Sequence, residues 1–379
     1  MQSTIKVNLA PQPYQITIEP GILDRLGEKI QTIQKQISGS KVLLVTNSTV
    51  FRLYAQRAIV SLEQAGFEAT THILPDGEQY KNLDSVIKVY DTALECRLER
   101  SSTIIALGGG VVGDIAGFVA ATWLRGVNFV QIPTSLLAMI DASIGGKTGF
   151  NYCQGKNLIG AFHQPRLVVI DPQVLQTLPS REFRSGIAEI IKYGVVWNAE
   201  MFHHLEIASN LNAPRDFQSN LLFALINRSC QAKVDIVTQD ERETGLRALL
   251  NYGHTIGHAL ESLTEYRQFS HGEAVAIGMA VAGEIAVFLN LWSRSEAERQ
   301  LALIKKAGLP NSIPSSLEIE KIVEILSWDK KVKNGKVRFV LPTKIGSACV
   351  SEQVLPKLVN QILLKSKSQS DFCQASLVA

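Results

Sequence analysis

The order of strand-like and helix-like patterns constrains the fold of this chain more than any other feature. In the first half, short β-branched segments bounded by turn residues recur, and helical periodicity lies between several of them. These segments are KVLLVTN (41–47), ATTHILP (69–75), STIIAL (102–107), NFVQIP (128–133) and RLVVID (166–171). Strands that alternate with helices build a parallel sheet, so this half is predicted to be an α/β domain.

After residue 179 the pattern changes to helices. Six segments have the apolar periodicity of helices, namely 181–198, 217–239, 249–263, 272–291, 295–307 and 317–326, and VRFVLP with GSACV suggests a late hairpin. The chain is therefore predicted to contain an α/β domain over residues 1–179, a mostly α-helical domain over 180–364, and a polar, disordered tail over 365–379.

Composition argues against several classes of function. The 38 basic and 35 acidic residues nearly balance and form no polybasic run, so no nucleic-acid partner is expected. Two long apolar stretches, 104–124 and 272–292, are interrupted by glycines or acids and fit buried core better than membrane spans. Five scattered cysteines and an N-terminus without a signal-peptide pattern predict a cytoplasmic protein with reduced thiols and no membrane partner.

Three of the seven histidines lie close together, in NYGHTIGHALE and FSHGE. His254 and His258 are four residues apart and share a helix face, and His271 can fold back beside them. Imidazole is a common metal ligand, so spacing alone makes these three histidines candidate ligands, with an acid supplied from elsewhere. A capped helix with polar surface histidines fits equally well. A zinc protease is disfavoured, because Thr255 stands where that pattern needs glutamate.

A glycine-rich loop follows the strand-like segment that ends at Leu107. In GGGVVGD, Gly108, Gly110 and Gly113 match the G-x-G-x-x-G spacing, which lets the backbone approach a pyrophosphate at a helix N-terminus. The loop follows a middle strand, however, and no acid lies about twenty residues further on to hold a ribose. An ordinary Rossmann dehydrogenase is therefore disfavoured, and tight packing of a glycine turn is the alternative.

Polar residues accumulate between the glycine loop and the histidines. The run PTSLLAMIDASIGGKTGFNYCQGKN carries Asp141, Lys147, Lys156 and Asn157, which suit either a phosphate cradle or a solvated loop. In SGIAEIIKYG, Glu189 and Lys192 are three residues apart, and a simple helix ion pair is the favoured interpretation. The series continues with Lys233, Arg242, Arg247 and Asn251. Together these residues indicate a site for a metal, a nucleotide and an anionic substrate.

These segments resemble the sugar-phosphate cyclases and, within that superfamily, the 3-dehydroquinate synthase family. The matching segments are DGEQYK (76–81), GGGVVGDIAGF, RGVNFVQIPTSLL, DASIGGKTGFN, GKNLIGAF, GIAEIIKYG, DERETGLRALLNYGHTIGHALE, HGEAVAIGM and DKK (329–331), in the family's order. The resemblance implies a Rossmann-like parallel sheet in the N-terminal domain, a mostly helical C-terminal domain, and an active site in the cleft between them.

The resemblance also implies an activity. It is the conversion of 3-deoxy-D-arabino-heptulosonate 7-phosphate to 3-dehydroquinate and phosphate, the second step of the shikimate pathway. The implied sequence is transient oxidation by NAD, phosphate elimination, reduction, ring opening and an intramolecular aldol step. Bound NAD, one divalent metal ion (zinc or cobalt) and a homodimer are implied as well.

The resemblance assigns roles to residues of this chain. It makes Glu189, His254 and His271 the metal ligands and leaves His258 as a catalytic acid/base, which revises the set suggested by spacing. The other catalytic residues that it implies are Lys147, Lys192, Arg247 and Asn251. The implied substrate contacts are Asp141, Lys147, Asn157, Lys192, Lys233, Arg247, Asn251, Lys330 or Lys331, and Arg125, which reaches the neighbouring subunit's site.

For NAD, the resemblance implies residues from several loops. They are Asn47, Asp76, Gly77, Glu78, Gln79, Tyr80, Lys81, Gly110, Val111, Val112, Gly113, Asp114, Thr134, Ser135, Lys147, Lys156, Val174, Leu175, Gln176 and Thr177. The chain departs from the commonest family pattern at Ser135, where threonine is usual, and at Tyr152 and Cys153, where His-Pro is frequent. Ser135 keeps a hydroxyl group, so little functional change is expected.

Three alternatives remain at this stage. The first is another sugar-phosphate cyclase, acting on sedoheptulose 7-phosphate or glucose 6-phosphate, although the GGKTGFN loop and the cations near Arg247 keep the dehydroquinate pattern. The second is a metal-dependent polyol dehydrogenase of the glycerol dehydrogenase type, which needs no phosphate cradle. The third is a non-catalytic NAD- or metal-binding protein, which is disfavoured because none of the implied catalytic residues is missing.

Overall fold

The computed structural model describes residues 1–10, 12–33, 37, 39–153, 155–243, 245–328, 332–333 and 336–375. Its contacts divide the chain into two compact units. Unit 1 comprises Met1–Leu178 and Gln218–Glu241, and unit 2 comprises Pro179–Phe217 and Arg242–Ala379. The chain first leaves unit 1 next to the predicted boundary, but it returns: residues 218–241, which the sequence pattern assigns to the helical domain, group with unit 1.

Unit 1 is built on a seven-stranded sheet and a separate hairpin. Its strands are β1 (Ser3–Val7), β2 (Tyr14–Ile18), β3 (Lys41–Asn47), β4 (Glu68–Leu74), β5 (Thr103–Gly108), β6 (Asn128–Pro133), β7 (Lys147–Tyr152), β8 (Gly155–Phe162) and β9 (Leu167–Ile170). The sheet order is β1-β2-β9-β6-β5-β3-β4. Only β1 and β2 pair antiparallel within it. The predicted parallel α/β sheet is therefore confirmed.

Helices alternate with these strands and then dominate the second half. They are α1 (Leu26–Gln31), α2 (Ser48–Val50), α3 (Gln56–Gln64), α4 (Leu83–Glu95), α5 (Gly110–Thr122), α6 (Ser180–Val196), α7 (Ala199–Ile207), α8 (Ser219–Gln239), α9 (His254–Leu263), α10 (His271–Phe288), α11 (Arg294–Lys306), α12 (Ile319–Trp328) and α13 (Pro356–Ala375). The inner parallel strands β3, β5, β6 and β9 are largely buried, which explains their mostly apolar sequences.

The sheet has its switch point between β3 and β5. From β3 the chain goes outward to the edge strand β4 and then returns across β3 to form β5. In open α/β sheets, ligands bind outside the carboxyl ends of the strands at such a point. The loop after β5 is the glycine-rich GGGVVGD segment, so the topology places this loop where a nucleotide would be expected.

Unit 2 is mostly helical, as predicted, around the long apolar helix α10. This helix is long and apolar enough to cross a membrane by length and composition, but 72% of the stretch is buried inside the structure, as in the core of a globular protein. The small strands of this unit are β10 (Val332–Lys333), β11 (Lys336–Val337), β12 (Phe339–Lys344) and β13 (Ser347–Ser351). β12 and β13 pair antiparallel, which confirms the late hairpin.

Two segments differ from the sequence expectations. The polar run after Asp141 contains the antiparallel pair β7 and β8 rather than an irregular loop, because Thr148, Gly149 and Phe150 are buried. At the C-terminus, helix α13 continues through Ala375, whereas a disordered tail is expected from residue 365. The first half of α13 buries apolar side chains, and the helix propagates beyond them.

Candidate active site

One carboxylate and two imidazoles converge within unit 2. Helix α6 carries Glu189 at its middle, α9 begins at His254, and α10 begins at His271. One potential ligand atom of each residue lies within 4.8 Å of the others. This is the set implied by the family resemblance. Among the described residues, His258 belongs to a different group, with Glu261 and His271.

The distances in the first group suit a metal ion. Oε1 of Glu189 lies 3.6 Å from Nε2 of His254 and 3.6 Å from Nε2 of His271. Ligand atoms bound tetrahedrally at 2.0–2.1 Å to zinc are about 3.3 Å apart. Two imidazole nitrogens and one carboxylate oxygen are ligands that zinc and similar divalent ions accept. The residues present therefore fit one divalent ion with a position left for substrate.

The hydrogen bonds made by Nδ1 of His254 and His271 determine which nitrogen of each imidazole can bind a metal. Nδ1 of His254 lies 3.0 Å from the carbonyl oxygen of Tyr252, and Nδ1 of His271 lies 3.3 Å from Oε1 of Glu261. A carbonyl and a carboxylate oxygen accept hydrogen bonds, so each Nδ1 donates one. Each Nε2 then keeps a lone pair that faces Glu189, as metal binding requires.

Lys192 completes the buried charge of this cluster. Its ammonium group contacts Oε2 of Glu189, and both side chains are at most 1% exposed. The helix ion pair favoured by spacing is thus present, but it lies beside the imidazoles and inside the protein. Taking two charges out of water is costly, and removing one partner would leave the other uncompensated. Lys192 and Glu189 are therefore expected to depend on each other.

Close helix packing holds the two histidine-bearing helices together. A Cβ atom on Gly278 of α10 would lie 1.9 Å from the carbonyl oxygen of Gly253, the residue just before α9. Gly253 itself has φ +77°, a left-handed conformation that favours glycine. The start of α10 is also fixed, because Ser270 and Glu273 form a capping box. His254 and His271 thus occupy the first positions of two well-anchored helices.

His258 lies one turn beyond His254 on α9. Its ring centre is 5.3 Å from that of His254 and 6.1 Å from that of His271. It is partly exposed, in contrast to the buried His254. This position beside the metal group, with access to solvent, suits a residue that transfers protons, and the assignment of His258 as acid/base stays a prediction.

Two further candidates precede α9 in a short 3-10 turn, Leu246–Asn251. The side chain of Arg247 is buried, and Nδ2 of Asn251 donates a hydrogen bond to Oε1 of Glu243 at 2.6 Å. Glu243 is not singled out by the sequence analysis. Its position in DERETGLRALLN, four residues before Arg247, is the signal that could have identified it.

In unit 1, the residues implied for NAD lie at the carboxyl ends of five parallel strands, except Lys147 and Lys156, which lie on the β7–β8 hairpin. Asn47 ends β3, residues 76–81 follow β4, residues 110–114 follow β5, Thr134 and Ser135 follow β6, and residues 174–177 follow β9. Carboxyl ends of parallel strands share one edge of a sheet, so the fold brings these separate segments to the same edge. The NAD-binding set stays a prediction, but the residues at the strand ends share one edge of the sheet.

The glycines of the β5–α5 loop serve two different purposes. A Cβ atom on Gly113 would lie 2.8 Å from Oε1 of Gln131, so helix packing against β6 restricts this position. A Cβ atom on Gly110 would meet only Cβ of Ala142, at 3.5 Å, which is ordinary contact. Packing of the protein itself therefore does not require glycine at 110. The space at this helix N-terminus fits the approach of a pyrophosphate.

Lys81 connects three segments of this edge. Its ammonium group donates to Asp114 Oδ2 and to Asn157 Oδ1, and its carbonyl oxygen accepts from the amide of Asn151 at 2.8 Å. Lys81 is only 3% exposed. Burial raises the pKa of the Asp114 carboxyl group, and the positive charge of Lys81 opposes that effect. Asn151, which also donates to Glu78 at 2.9 Å, is a second residue missed by the sequence analysis.

Another paired cation of unit 1 lies on α8. Nζ of Lys233 donates to both the carbonyl oxygen and Oδ1 of Asp141, each at 2.6 Å. Lys147, at the start of β7, is exposed, and Lys156, near the start of β8, is partly exposed. Ser135 caps its own turn by accepting from the amide of Ala138 at 3.3 Å. Lys147, Lys156 and Lys233 are therefore candidates for binding anionic groups at β7, β8 and α8, respectively.

The remaining implied contacts are Arg125, Lys330 and Lys331. Arg125 is exposed and has a positive φ of 68°, next to Leu124 with φ 48°. Left-handed backbone in residues other than glycine is uncommon and marks a constrained turn. Lys330 and Lys331 lie outside the described residues, so their assignment stays a prediction.

Comparison with protein-family models gives two adjoining matches. The model for 3-dehydroquinate synthase N-terminal matches residues 71–185, and the model for 3-dehydroquinate synthase C-terminal matches residues 186–332. A 3-dehydroquinate synthase of Nostoc punctiforme is 59% identical over 96% of this chain and 99% of its own length. One of Microcystis aeruginosa is 56% identical over 97% of this chain and 100% of its own length.

Solved structures agree with the fold. A 2-epi-5-epi-valiolone synthase from Streptomyces hygroscopicus, with NAD⁺ and Zn²⁺ bound, has a TM-score of 0.85 at 29% identity and covers 94% of this chain and 98% of that chain. A 2-deoxy-scyllo-inosose synthase, complexed with carbaglucose-6-phosphate, NAD⁺ and Co²⁺, has a TM-score of 0.85 at 26% identity. This match covers 96% of this chain and 100% of that chain. A glycerol dehydrogenase from Schizosaccharomyces pombe has a TM-score of 0.66 at 16% identity, over 96% of this chain and 91% of that chain. At this identity the similarity shows the fold alone.

Proposed function

This chain belongs to the 3-dehydroquinate synthase family, and we propose from that premise that it converts 3-deoxy-D-arabino-heptulosonate 7-phosphate to 3-dehydroquinate and phosphate. It is a carbon–oxygen lyase that uses NAD and one divalent metal ion. The observation that carries this function is the cluster of Glu189, His254 and His271, because three protein ligands of this kind leave a metal position open to a substrate hydroxyl.

The chain's residues have separate tasks in this reaction. When bound, NAD accepts and returns a hydride, and the metal ion stabilises negative charge on the substrate oxygen. Glu189 and the two histidines hold that ion, and Lys192 balances the charge of Glu189. His258 moves protons at its ring nitrogens, since imidazole titrates near neutral pH.

Cations and amides hold the anionic groups of substrate and cofactor. Lys147, Lys156, Lys233 and Arg247 are the proposed partners of phosphate and carboxylate groups, with Asp141, Asn157 and Asn251 as hydrogen-bonding contacts. Lys330 or Lys331 is proposed to join them. The loop at Gly110 is proposed to hold the pyrophosphate of NAD. Support comes from the common sheet edge of the cofactor residues and from the space at Gly110.

Homodimer formation is part of the proposal, with Arg125 acting on the neighbouring subunit. Arg125 lies between the end of α5 and the start of β6, hence at the amino edge of the sheet, whereas Gly110 begins α5 at the carboxyl edge. A helix of 13 residues is about 20 Å long, more than an arginine side chain reaches. Recovery of activity on mixing Arg125→Ala and Lys147→Ala subunits would support sites shared between subunits, and two independent monomers would contradict it.

We also propose that the enzyme works in the cytoplasm. Cys96, Cys153, Cys230 and Cys349 are free, and burial raises the pKa of Cys230 to about 12, which makes its thiol unreactive. A chain whose described cysteines are unpaired suits a reducing compartment. Localisation of a tagged protein tests this proposal.

Phosphate release tests the main function. The purified protein is incubated with NAD, zinc or cobalt, and 3-deoxy-D-arabino-heptulosonate 7-phosphate, before and after chelation. Chelator-sensitive phosphate release without net NADH supports the proposal. Release only from sedoheptulose 7-phosphate would instead indicate another sugar-phosphate cyclase, and net NADH from simple polyols would indicate a polyol dehydrogenase.

A further inference from the structure

A buried carboxylate lies behind the metal group and has no part in the function described so far. Glu261 lies on α9, seven residues after His254 and three after His258, so all three share one helix face. Its side chain is 3% exposed. A glutamate is rarely buried to this extent without a specific partner. Oε1 of Glu261 lies 3.3 Å from Nδ1 of His271, which identifies that partner.

The contact decides what the other nitrogen of His271 can do. Because Nδ1 donates its proton to the carboxylate, Nε2 keeps a lone pair, and that atom lies 3.6 Å from Oε1 of Glu189. A carboxylate behind a ligating histidine fixes the orientation of the ring and raises its basicity. Glu261 thus holds the His271 ring from its Nδ1 side, so that the lone pair on Nε2 points toward the metal group.

The two histidine ligands differ in this respect. His254 donates to the carbonyl oxygen of Tyr252, whose own side chain is buried and hydrogen-bonded to Gln300 at 2.7 Å and to Met279 at 3.1 Å. Its orientation is therefore fixed by the backbone. His271 follows the connection between α9 and α10, and its Nδ1 partner is a charged side chain that substitution can remove.

We propose that Glu261 is a positioning residue for the metal, acting through His271. The inference rests on the metal site proposed above and adds a residue to which no role is assigned there. Loss of the carboxylate lowers the affinity for zinc or cobalt, because the ring of His271 loses both its orientation and part of its basicity. Such partners typically change metal affinity by about tenfold to 100-fold.

Zinc affinity of the metal-free protein, measured by competition with a chromogenic chelator, tests the proposal. Glu261→Met removes the acceptor at similar volume, and Glu261→Gln keeps an acceptor oxygen without the charge. Glu284→Met is the matched control, since it removes a glutamate from the same helix as His271, α10, and its contacts with Arg294 and Lys365 without touching an imidazole or the capping box. We expect about tenfold to 100-fold weaker zinc binding in Glu261→Met, a smaller loss in Glu261→Gln and no more than about a threefold loss in Glu284→Met.

Cobalt substitution gives a second readout, because the visible absorption of bound Co²⁺ reports ligand geometry. The bands of Glu261→Met should differ from those of the parent protein, and those of Glu261→Gln should lie closer to them. Equal zinc affinity and equal cobalt bands in Glu261→Met and the parent would overturn the proposal, as would an equal loss in Glu284→Met.

Failure of the proposed metal site and failure of the proposed role of Glu261 give different results. Parent-level zinc affinity in His271→Ala would contradict the metal site itself. Loss of zinc in His271→Ala with full affinity in Glu261→Met would contradict only the role of Glu261. If Glu261→Met does not fold, nitrogen-15 spectra of the metal-free parent protein decide. A His271 ring protonated on Nδ1 alone supports the proposal, and protonation on Nε2 alone overturns it.

Discussion

The metal group of unit 2 and the nucleotide edge of unit 1 are built from different kinds of atoms. Glu189, His254 and His271 act through side chains on three helices, and their relative positions are fixed by helix packing. The edge of unit 1 offers strand ends, glycines and a helix N-terminus, while its buried cation Lys81 is already bound to Asp114. Side-chain identity therefore controls the first site, and backbone shape controls much of the second.

This difference predicts how each site responds to substitution. Removing one side chain from a three-ligand group removes a third of the donors, so the effect should be nearly complete. Removing one side chain from an edge with many backbone donors should give graded losses. Substitutions in the two units therefore test whether side chains or backbone control each site.

The largest effect is expected for the histidines of unit 2. His271→Ala should lose both metal and activity, because only two ligands remain. His258→Ala should keep stoichiometric metal but lower kcat by about 10²–10⁴, the usual contribution of a general acid or base. Metal analysis and turnover of both purified variants check this. Stoichiometric metal in His271→Ala would contradict its assignment as a ligand, and the same result together with metal loss in His258→Ala would exchange the roles of the two residues.

The next largest effect is expected at Lys81. Lys81→Met leaves the Asp114 carboxylate without its cation, which should lower the free energy of unfolding by about 2–3 kcal/mol, somewhat less than for a fully buried pair. Because the pKa of Asp114 in the folded protein lies above its ordinary value of 3.8, the variant should lose stability as pH rises from that value through the folded pKa.

Denaturant unfolding of Lys81→Met at several pH values measures this effect, and the double variant Lys81→Met/Asp114→Asn is its control. The double variant should recover most of the stability, since no uncompensated charge remains. An equal loss in the single and double variants would mean that packing of the lysine chain, rather than its charge, matters.

A smaller and more selective effect is expected for the two glycines of the β5–α5 loop. Gly113→Ala should lower stability by about 1 kcal/mol, at the low end for overpacking, because the new methyl group meets only the end of the Gln131 side chain, which can shift. Gly110→Ala should leave stability unchanged or slightly higher but weaken NAD binding about tenfold, by blocking the approach of the pyrophosphate. Thermal unfolding and NAD titration separate the two. Unchanged NAD affinity in Gly110→Ala would remove this loop from the proposed cofactor site.

The smallest effect is expected at the surface of unit 2, where Arg299 binds Glu206 through two nitrogens at 2.8 and 2.7 Å. These hydrogen bonds hold the pKa of Glu206 below its ordinary value of 4.5. Glu206→Gln should cost about 0.5–1 kcal/mol at pH 7. The contribution is complete above pH 4.5 and disappears as pH falls through the lowered pKa, so the difference in unfolding free energy between parent and variant should shrink there. A difference independent of pH would assign the effect to packing.

Much of the fold could be predicted because the local patterns are strong. The five β-branched segments of unit 1 each match a strand of the sheet to within one residue, and most of unit 2 follows helical periodicity. The hairpin of β7 and β8 could not be predicted this way, since GGKTGFN and GKN are rich in glycine and polar residues. Its strands form because Gly149 and Gly160 let the two backbones approach closely. The membership of α8 in unit 1 depends on long-range packing, which no local pattern contains.

Prediction of the site was uneven for a similar reason. Spacing alone groups His254, His258 and His271, since helical periodicity reports only a shared face. Glu189 lies more than sixty residues earlier in the chain, where spacing predicts only an ion pair with Lys192, and its role as a metal ligand is implied by the resemblance alone. Glu261 is on the same face as the histidines but looks like an ordinary surface glutamate. Only the fold shows that it is buried against a ring nitrogen.

The return of the chain to unit 1 has a consequence for protein synthesis. Helix α8 buries Leu225, Ile226 and Val237 and packs against β1 and the turn at Ala138–Ala142, yet it is translated after α6 and α7 of unit 2. While the ribosome is still making those two helices, the nascent sheet lacks one of its coverings. Unit 1 therefore cannot finish folding until residues 218–241 have been made, after the first two helices of unit 2. A fragment ending at Leu178 should have part of its apolar core uncovered. The growing chain is therefore expected to need a chaperone most while residues 179–217 are being made.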